Sequence, residues 1–237
     1  MCPGSPDDTR HLFGNDMTGI RHFILLLSLL VAPSSFPGAV ETFTIARIKY
    51  GGGGDWYSNP TSLPNLLRFA RESAGIAAAD REEVVSLSGG DIFRYPVAYM
   101  NGHGNVSFTP EEAGVLRRYL TGGGFLIADD NYGMDKSFRR EMRKVFPGED
   151  LVLLPKSHPV FSAPFSLPSG IPKVHEHDGE PAQAYAIFHE GRMVVFYSFQ
   201  ADLGDGWEDA SVHNDPVEIR TTALRMGTNL IAWALSH

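Results

Sequence analysis

The chain has 237 residues, 43% hydrophobic and 20% charged, with a formal net charge of −8. That is enough apolar material for one globular domain and a short extra segment. The acidic balance argues against nucleic-acid binding, and a lone cysteine, Cys2, excludes a disulfide framework.

Residues 1–16 carry no periodicity, and Met17 is an alternative start. Arg21-His22 precede an apolar run over residues 23–32, followed by Pro-Ser-Ser-Phe-Pro-Gly-Ala. A basic region, an apolar run and small residues near Ala39 read as a secretory signal peptide over residues 1–39, leaving 40–237 as a single domain. The alternative is an uncleaved anchor, although the run is short for a membrane span. Either way the folded part is expected to be periplasmic or otherwise exported, and membrane-tethered if the leader stays. Loss of residues 1–39 moves the net charge only from −8 to −7. It also removes Cys2, which excludes cysteine chemistry.

Residues 43–50 alternate as a strand and lead into Gly51-Gly52-Gly53-Gly54-Asp55-Trp56-Tyr57. Glycines after a strand leave backbone amides free to approach a ligand. No Gly-Lys-Ser/Thr closes the run, and no G-x-G-x-x-G opens a helix, so it is neither a phosphate loop nor a dinucleotide fingerprint. The plainer reading is a flexible turn with Trp56 and Tyr57 as a lid. Residues 63–74 read as a helix and 84–87 as a short strand.

Residues 95–133 organise the rest. A buried-type strand at 97–100 ends in Asn101-Gly102-His103-Gly104, and Thr109-Pro110-Glu111-Glu112 opens a helix. Gly122-Gly123-Gly124 stops it, and a second strand at 125–128 runs into Asp129-Asp130-Asn131. In a β-α-β unit the loops after both strands are the default ligand site.

Residues 136–146 form a basic helix and 151–154 a strand. Residues 157–181 lack any period, which marks an insertion or a long functional loop. Residues 184–188 and 193–199 pair as a hairpin around Glu190-Gly191-Arg192, and 217–235 form the closing helix. The fold class is therefore α/β: a doubly wound three-layer sandwich, flavodoxin-like, with a mostly parallel sheet and a C-terminal antiparallel hairpin at one edge.

The reactive groups crowd the loops. His103 sits between glycines, His175 and His177 flank Glu176, and His213 precedes Asn214-Asp215. An i, i+2 histidine pair points to one side of an extended segment. Two or three such groups with an aspartate make a zinc or non-haem metal site, with His175, His177 and Asp130 as candidate ligands. No spacing matches H-E-x-x-H, so the plainer alternative is histidines bonded to loop backbones and aspartates capping helices. No cofactor is certain, and a divalent metal is the candidate. The strand-to-helix turn that carries the nucleophile in hydrolases built on such sheets here holds Asp129-Asp130-Asn131, and G-x-S-x-G is absent. Asp129 or Asp130 is a candidate general base with His103 as partner, against a reading in which Asp130 caps the next helix. A ligand cleft would be lined by Gly52, Gly53, Gly54, Asp55, Trp56, Gly102, His103, Gly104, Asn131, His213 and Asp215.

The segments ARIKYGGGGDWYSNP, NGHGNVSFTPEE, GGGFLIADDNYGMDKSFRREMRKVFP, SHPVF, PKVHEHDG, FHEGRMVVFYSF and GWEDASVHNDP resemble an uncharacterised family of exported bacterial domains, DUF4159. The resemblance runs from Glu41 to the C-terminus. It implies a class I glutamine amidotransferase-like fold, akin to trehalose-utilisation-type proteins, and a membrane-anchored partner of the aerotolerance-regulator type. Amidotransferases carry a cysteine where this chain has Asp129-Asp130-Asn131, so glutamine hydrolysis does not transfer.

Two functions follow. The leading expectation is a non-catalytic module, a pseudoenzyme that binds a small-molecule or cell-envelope ligand or serves as a scaffold. The alternative is a metal-assisted hydrolase of envelope carbohydrate or amide bonds. An enzyme needs three reactive side chains converging within a few ångströms, whereas a scaffold leaves them scattered.

Overall fold

The computed structural model describes Met1 and residues 42–237; the expected signal peptide, with Cys2, lies outside the described residues. Short apolar runs alternate with amphipathic segments, the pattern that lays parallel strands between helices. In chain order these are β1 (Ile45–Ile48), α1 (Ser62–Ala74), β2 (Glu83–Val85), β3 (Val97–Gly102), α2 (Pro110–Thr121), β4 (Phe125–Asp130) and α3 (Asp135–Val145). There follow β5 (Val152–Leu153), β6 (Gln183–His189), β7 (Arg192–Phe199), α4 (Leu203–Trp207), α5 (Ala210–His213) and α6 (Val217–Ser236). The strands form one 7-stranded sheet in the order β2-β1-β3-β4-β7-β6-β5. The first five in that order are parallel, while at one edge β6 pairs antiparallel with β7 and β5 pairs antiparallel with β6. This is the expected mostly parallel sandwich, with the hairpin extended by one further edge strand.

Every residue of β3 and β4 is buried, as strands covered on both faces must be. Alternate side chains feed two cores. Val97, Tyr99, Phe125 and Ile127 pack with Leu66 of α1, Trp207 of α4 and Leu230 of α6. Ala98, Met100, Leu126 and Ala128 pack with Leu116 of α2 and Phe138 of α3. A full capping box starts α2: the Thr109 hydroxyl accepts from Glu112 N at 3.1 Å, and the Glu112 carboxylate accepts from Thr109 N at 2.9 Å.

Two departures from the sequence expectation shape the site. β4 runs two residues past its apolar stretch, so Asp129 and Asp130 are strand residues paired with Asn101 and Gly102. Between the hairpin and the closing helix, where no element is expected, residues 200–216 contain the short helices α4 and α5. Residues 157–181 stay irregular apart from one 3-10 turn, Pro159–Phe161, and Val174 N donates to Ala201 O at 2.8 Å. That bond ties the loop to the end of β7. Among the described residues no helix is long and apolar enough to cross a membrane.

Candidate metal centre

The site is assembled where β4 and β7 end. Asp129 faces the core shared by α1, α4 and α6, and its carboxylate accepts from Leu203 N at 3.2 Å, Gly204 N at 2.7 Å and the Ser198 hydroxyl. These bonds pin the first turn of α4 to the sheet. A Cβ on Gly204 would meet Tyr99 Oη at 2.6 Å and Asn59 Nδ2 at 2.9 Å, so only glycine lets α4 lie this close. The loop opposite is fixed by the buried Arg47, whose guanidinium donates to Ser58 O at 2.8 Å, Asn59 O at 3.2 Å and Asn101 Oδ1 at 3.0 Å.

Asp205 is presented between these supports. His175 Nδ1 lies 2.9 Å from Asp205 Oδ2, and His213 Nε2 lies 3.9 Å from the same oxygen. The three ligand atoms fall within 4.8 Å of one another. A tetrahedral ion with ligand bonds of about 2.0–2.1 Å places neighbouring donors ~3.3 Å apart, and the separations of 2.9 and 3.9 Å straddle that value.

The outer contacts orient these atoms. Asp205 Oδ1 accepts from Asn131 Nδ2 at 2.7 Å and from Asn59 Nδ2, which leaves Oδ2 to face the imidazoles. His175 Nε2 lies 3.2 Å from both oxygens of Asp215, the carboxylate–histidine arrangement that sets the tautomer of a metal ligand. Glu208 Oε1 accepts from Thr61 N at 3.2 Å and Thr61 Oγ1 at 3.1 Å, while its Oε2 sits 3.6 Å from His213 Nε2. Two imidazoles and a carboxylate suit zinc or a similar divalent ion. His175, Asp205 and His213 thus form a candidate divalent-metal cluster, in line with the metal expected from the sequence.

The neighbouring acids carry the cost of burial. Burial pushes Asp129 up to about 7, against the bonds from Ser198 and Gly204, and the charges of Asp202 and Asp205 add to the rise. Asp202 is pushed up to about 6 by burial, against its bond from His177.

Of the residues singled out in the sequence, His175, His213 and Asp215 come together here, and Asn131 holds Asp205. His177 joins through Asp202, which it contacts by Nε2. Asp130, expected with the histidines, faces the other core: adjacent strand residues point to opposite faces. Its carboxylate accepts from Met134 N at 2.8 Å and Tyr197 Oη at 3.2 Å, and burial raises its pKa. His103 pairs with Asp55 rather than Asp129 or Asp130: its Nδ1 lies 2.9 Å from Asp55 Oδ2, and its amide donates to Oδ1. Burial pushes the Asp55 carboxyl up, but His103 outweighs this and holds it below the ordinary range.

The glycine run answers to a different physical need. Ser107 N donates to Gly51 O at 2.8 Å and Gly54 N to Asn105 O at 3.0 Å. A Cβ on Gly52 would lie 2.8 Å from Asn105 O and Ser107 N. Two backbones pass closely there, which accounts for Gly52 and Gly54 without a ligand; Gly53 meets nothing. A Cβ on Gly102 would likewise collide with Tyr50 Oη, and Gly104 takes a left-handed turn. Trp56 meets Tyr57 edge-on, and Trp207 is wholly buried, donating to Ala223 O at 2.8 Å.

Sequence reasoning passed over Asn59, Asp202, Asp205 and Glu208. The three acids recur every third residue in Asp202-Leu-Gly-Asp205-Gly-Trp-Glu208, a spacing that groups the carboxylates without by itself identifying a helix.

The chain belongs to the family described as a domain of unknown function, DUF4159, whose model matches residues 44–235. All three clustered residues lie inside that match. Comparison with curated proteins finds no match. The family description names no activity, so function has to be argued from the site.

Proposed function

We propose that this chain is an exported, metal-dependent hydrolase of carbohydrate or amide bonds in the cell envelope. The observation that carries the reading is the convergence of one ligand atom each from His175, Asp205 and His213 within 4.8 Å. A scaffold would leave these groups apart, each satisfied by its own hydrogen bonds, so the convergence favours the metal-assisted reading over the non-catalytic one. Export is supported by the basic and apolar leader, and a membrane-anchored partner by the family resemblance. Amidotransferase chemistry finds no support, because the end of β4 and the turn after it carry Asp129-Asp130-Asn131 and Cys2 is the only cysteine.

His175, Asp205 and His213 would hold the cation, which supplies Lewis acidity and activates water near neutral pH. The protein's own groups do the positioning. Asp215 keeps the His175 proton on Nε2 and frees Nδ1. Asn59 and Asn131 aim the Asp205 carboxylate. Glu208, tethered through Oε1, turns Oε2 toward the cluster and receives the proton of the attacking water. Tyr132, 47% exposed and stacked on His177 at 4.5 Å, offers a flat ring beside the site for a sugar.

The test is to incubate the full chain, loaded with zinc or manganese, with purified cell-wall polymer and follow the release of reducing ends and free amines. Hydrolysis should stop with chelator and return with metal. Glu208→Gln should lower kcat by about 10²–10⁴-fold with the metal still bound. Release of neither kind of end by the metal-loaded chain would sink the hydrolase reading.

A further inference from the structure

The acids around the cluster outnumber what one cation balances. Asp129 and Asp202 are buried, and the side chains of Asp205, Glu208 and Asp215 are 14%, 6% and 11% exposed. Among the described residues, no lysine or arginine forms an ion pair with any of these five carboxylates. Buried carboxylates need a partner charge or a proton, and one divalent ion leaves most of this set uncompensated.

The hydrogen bonding points the same way. Asp202 Oδ1, Gln200 Oε1 and Asn131 Oδ1 are buried and find no donor among the described residues. All three are acceptor oxygens, and all belong to the loops that build the site. Asp202 is the pivotal one. Its Oδ2 contacts His177 Nε2 and also lies 3.7 Å from His175 Nδ1, so one carboxylate stands between two imidazoles. That is the position of a carboxylate bridging paired metal ions, which sit about 3.5–4 Å apart. His177 is itself held in place. Its ring stacks on Tyr132, the Tyr132 hydroxyl donates to Asp178 Oδ1 at 3.0 Å, and Gln200 Nε2 donates to Asp178 Oδ2 at 2.8 Å. A chain of contacts that fixes one imidazole against a buried carboxylate is what a metal ligand requires.

We propose that the centre is dinuclear: His177 Nε2 and Asp202 hold a second divalent cation, and Asp202 bridges it to the one at His175, Asp205 and His213. The inference rests on the first site, and it narrows the chemistry to the two-ion class of hydrolysis, in which both the attacking and the leaving oxygen are stabilised.

The probe is manganese. The full chain, made without affinity histidines, is loaded with manganese, freed of excess ion and examined by elemental analysis and electron paramagnetic resonance. Two manganese per chain with a spin-coupled signal is the expected result. His177→Gln and Asp202→Asn should each retain one ion with an uncoupled six-line signal. One uncoupled ion in the unaltered chain would overturn the second site and leave the first intact. Two coupled ions persisting in His177→Gln would overturn its placement, and no bound manganese would overturn both sites. The arm with the unaltered chain does not depend on whether the variants fold.

Discussion

Asp215 acts on the cluster through His175. Its two oxygens, each 3.2 Å from His175 Nε2, hold the proton on that nitrogen and leave Nδ1 to the cation. Asp215→Asn is therefore expected to weaken metal binding by about 10–100-fold with little loss of stability, as read by competition with a chromogenic chelator. Unchanged affinity would mean that His175 is not a ligand. Asp129 makes a different prediction. Its pKa in the folded chain, about 7, lies above the ordinary carboxylate value, so folding favours its protonated form. The stability it contributes is complete below pH ~4 and is lost as pH rises through ~7. In the chelated chain, denaturant unfolding should show stability falling between about pH 4 and pH 7, and Asp129→Asn should flatten that fall. An identical slope in the variant would put the titration elsewhere. At this scale the sequence was legible for His175, His213 and Asp215, whose loops advertise them. It was misleading for Asp130, because two adjacent acids look like one site until the strand places them on opposite faces.

α4 is only five residues long, yet it carries Asp205 and borders Glu208. It is too short to be held by its own hydrogen bonds and relies on Asp129 beneath its first turn and on the close approach at Gly204. Gly204→Ala should push it off the sheet, at a cost of about 1–3 kcal/mol, and should weaken metal binding together with stability. Thermal unfolding with and without metal checks this; a variant that loses stability but keeps full affinity would show that α4 does not position the ligand. Such an element was not legible in advance. Helical periodicity needs several turns, and residues 203–207 include two glycines and no repeated apolar face. The longer elements were legible to within two residues, because α1, α2, α3 and α6 each bury a stripe against a strand. The end of β4 escaped notice because its last two residues are charged and still pair with β3. Strand pairing there outlasts the hydrophobic pattern that reveals it.

At the scale of the molecule, the sheet order places the ends of β3, β4 and β7 side by side and so gathers loops that are distant in sequence: Asn59, Asn131, His175, Asp205 and His213. The architecture was readable because each β-α unit is local. The site was readable only in part, since no spacing within the chain reports which loops meet. A cation bound between the His175 loop and the α4–α5 segment should fasten them together. At a free metal concentration ~1,000-fold above the dissociation constant, binding stabilises the fold by ~4 kcal/mol, or ~10 °C in Tm for a domain of this size. Chelation should lower Tm by that amount, and differential scanning calorimetry would show it.

The central claim is that His175, Asp205 and His213 bind a divalent ion, and elemental analysis tests it most directly. The full chain, purified without chelator or affinity histidines, is compared with Asp205→Ala. The account predicts at least one equivalent of zinc, iron or manganese in the unaltered chain and a clear loss in the variant. A metal-free chain that also fails to take up added zinc, or a variant that keeps its full complement, would contradict it.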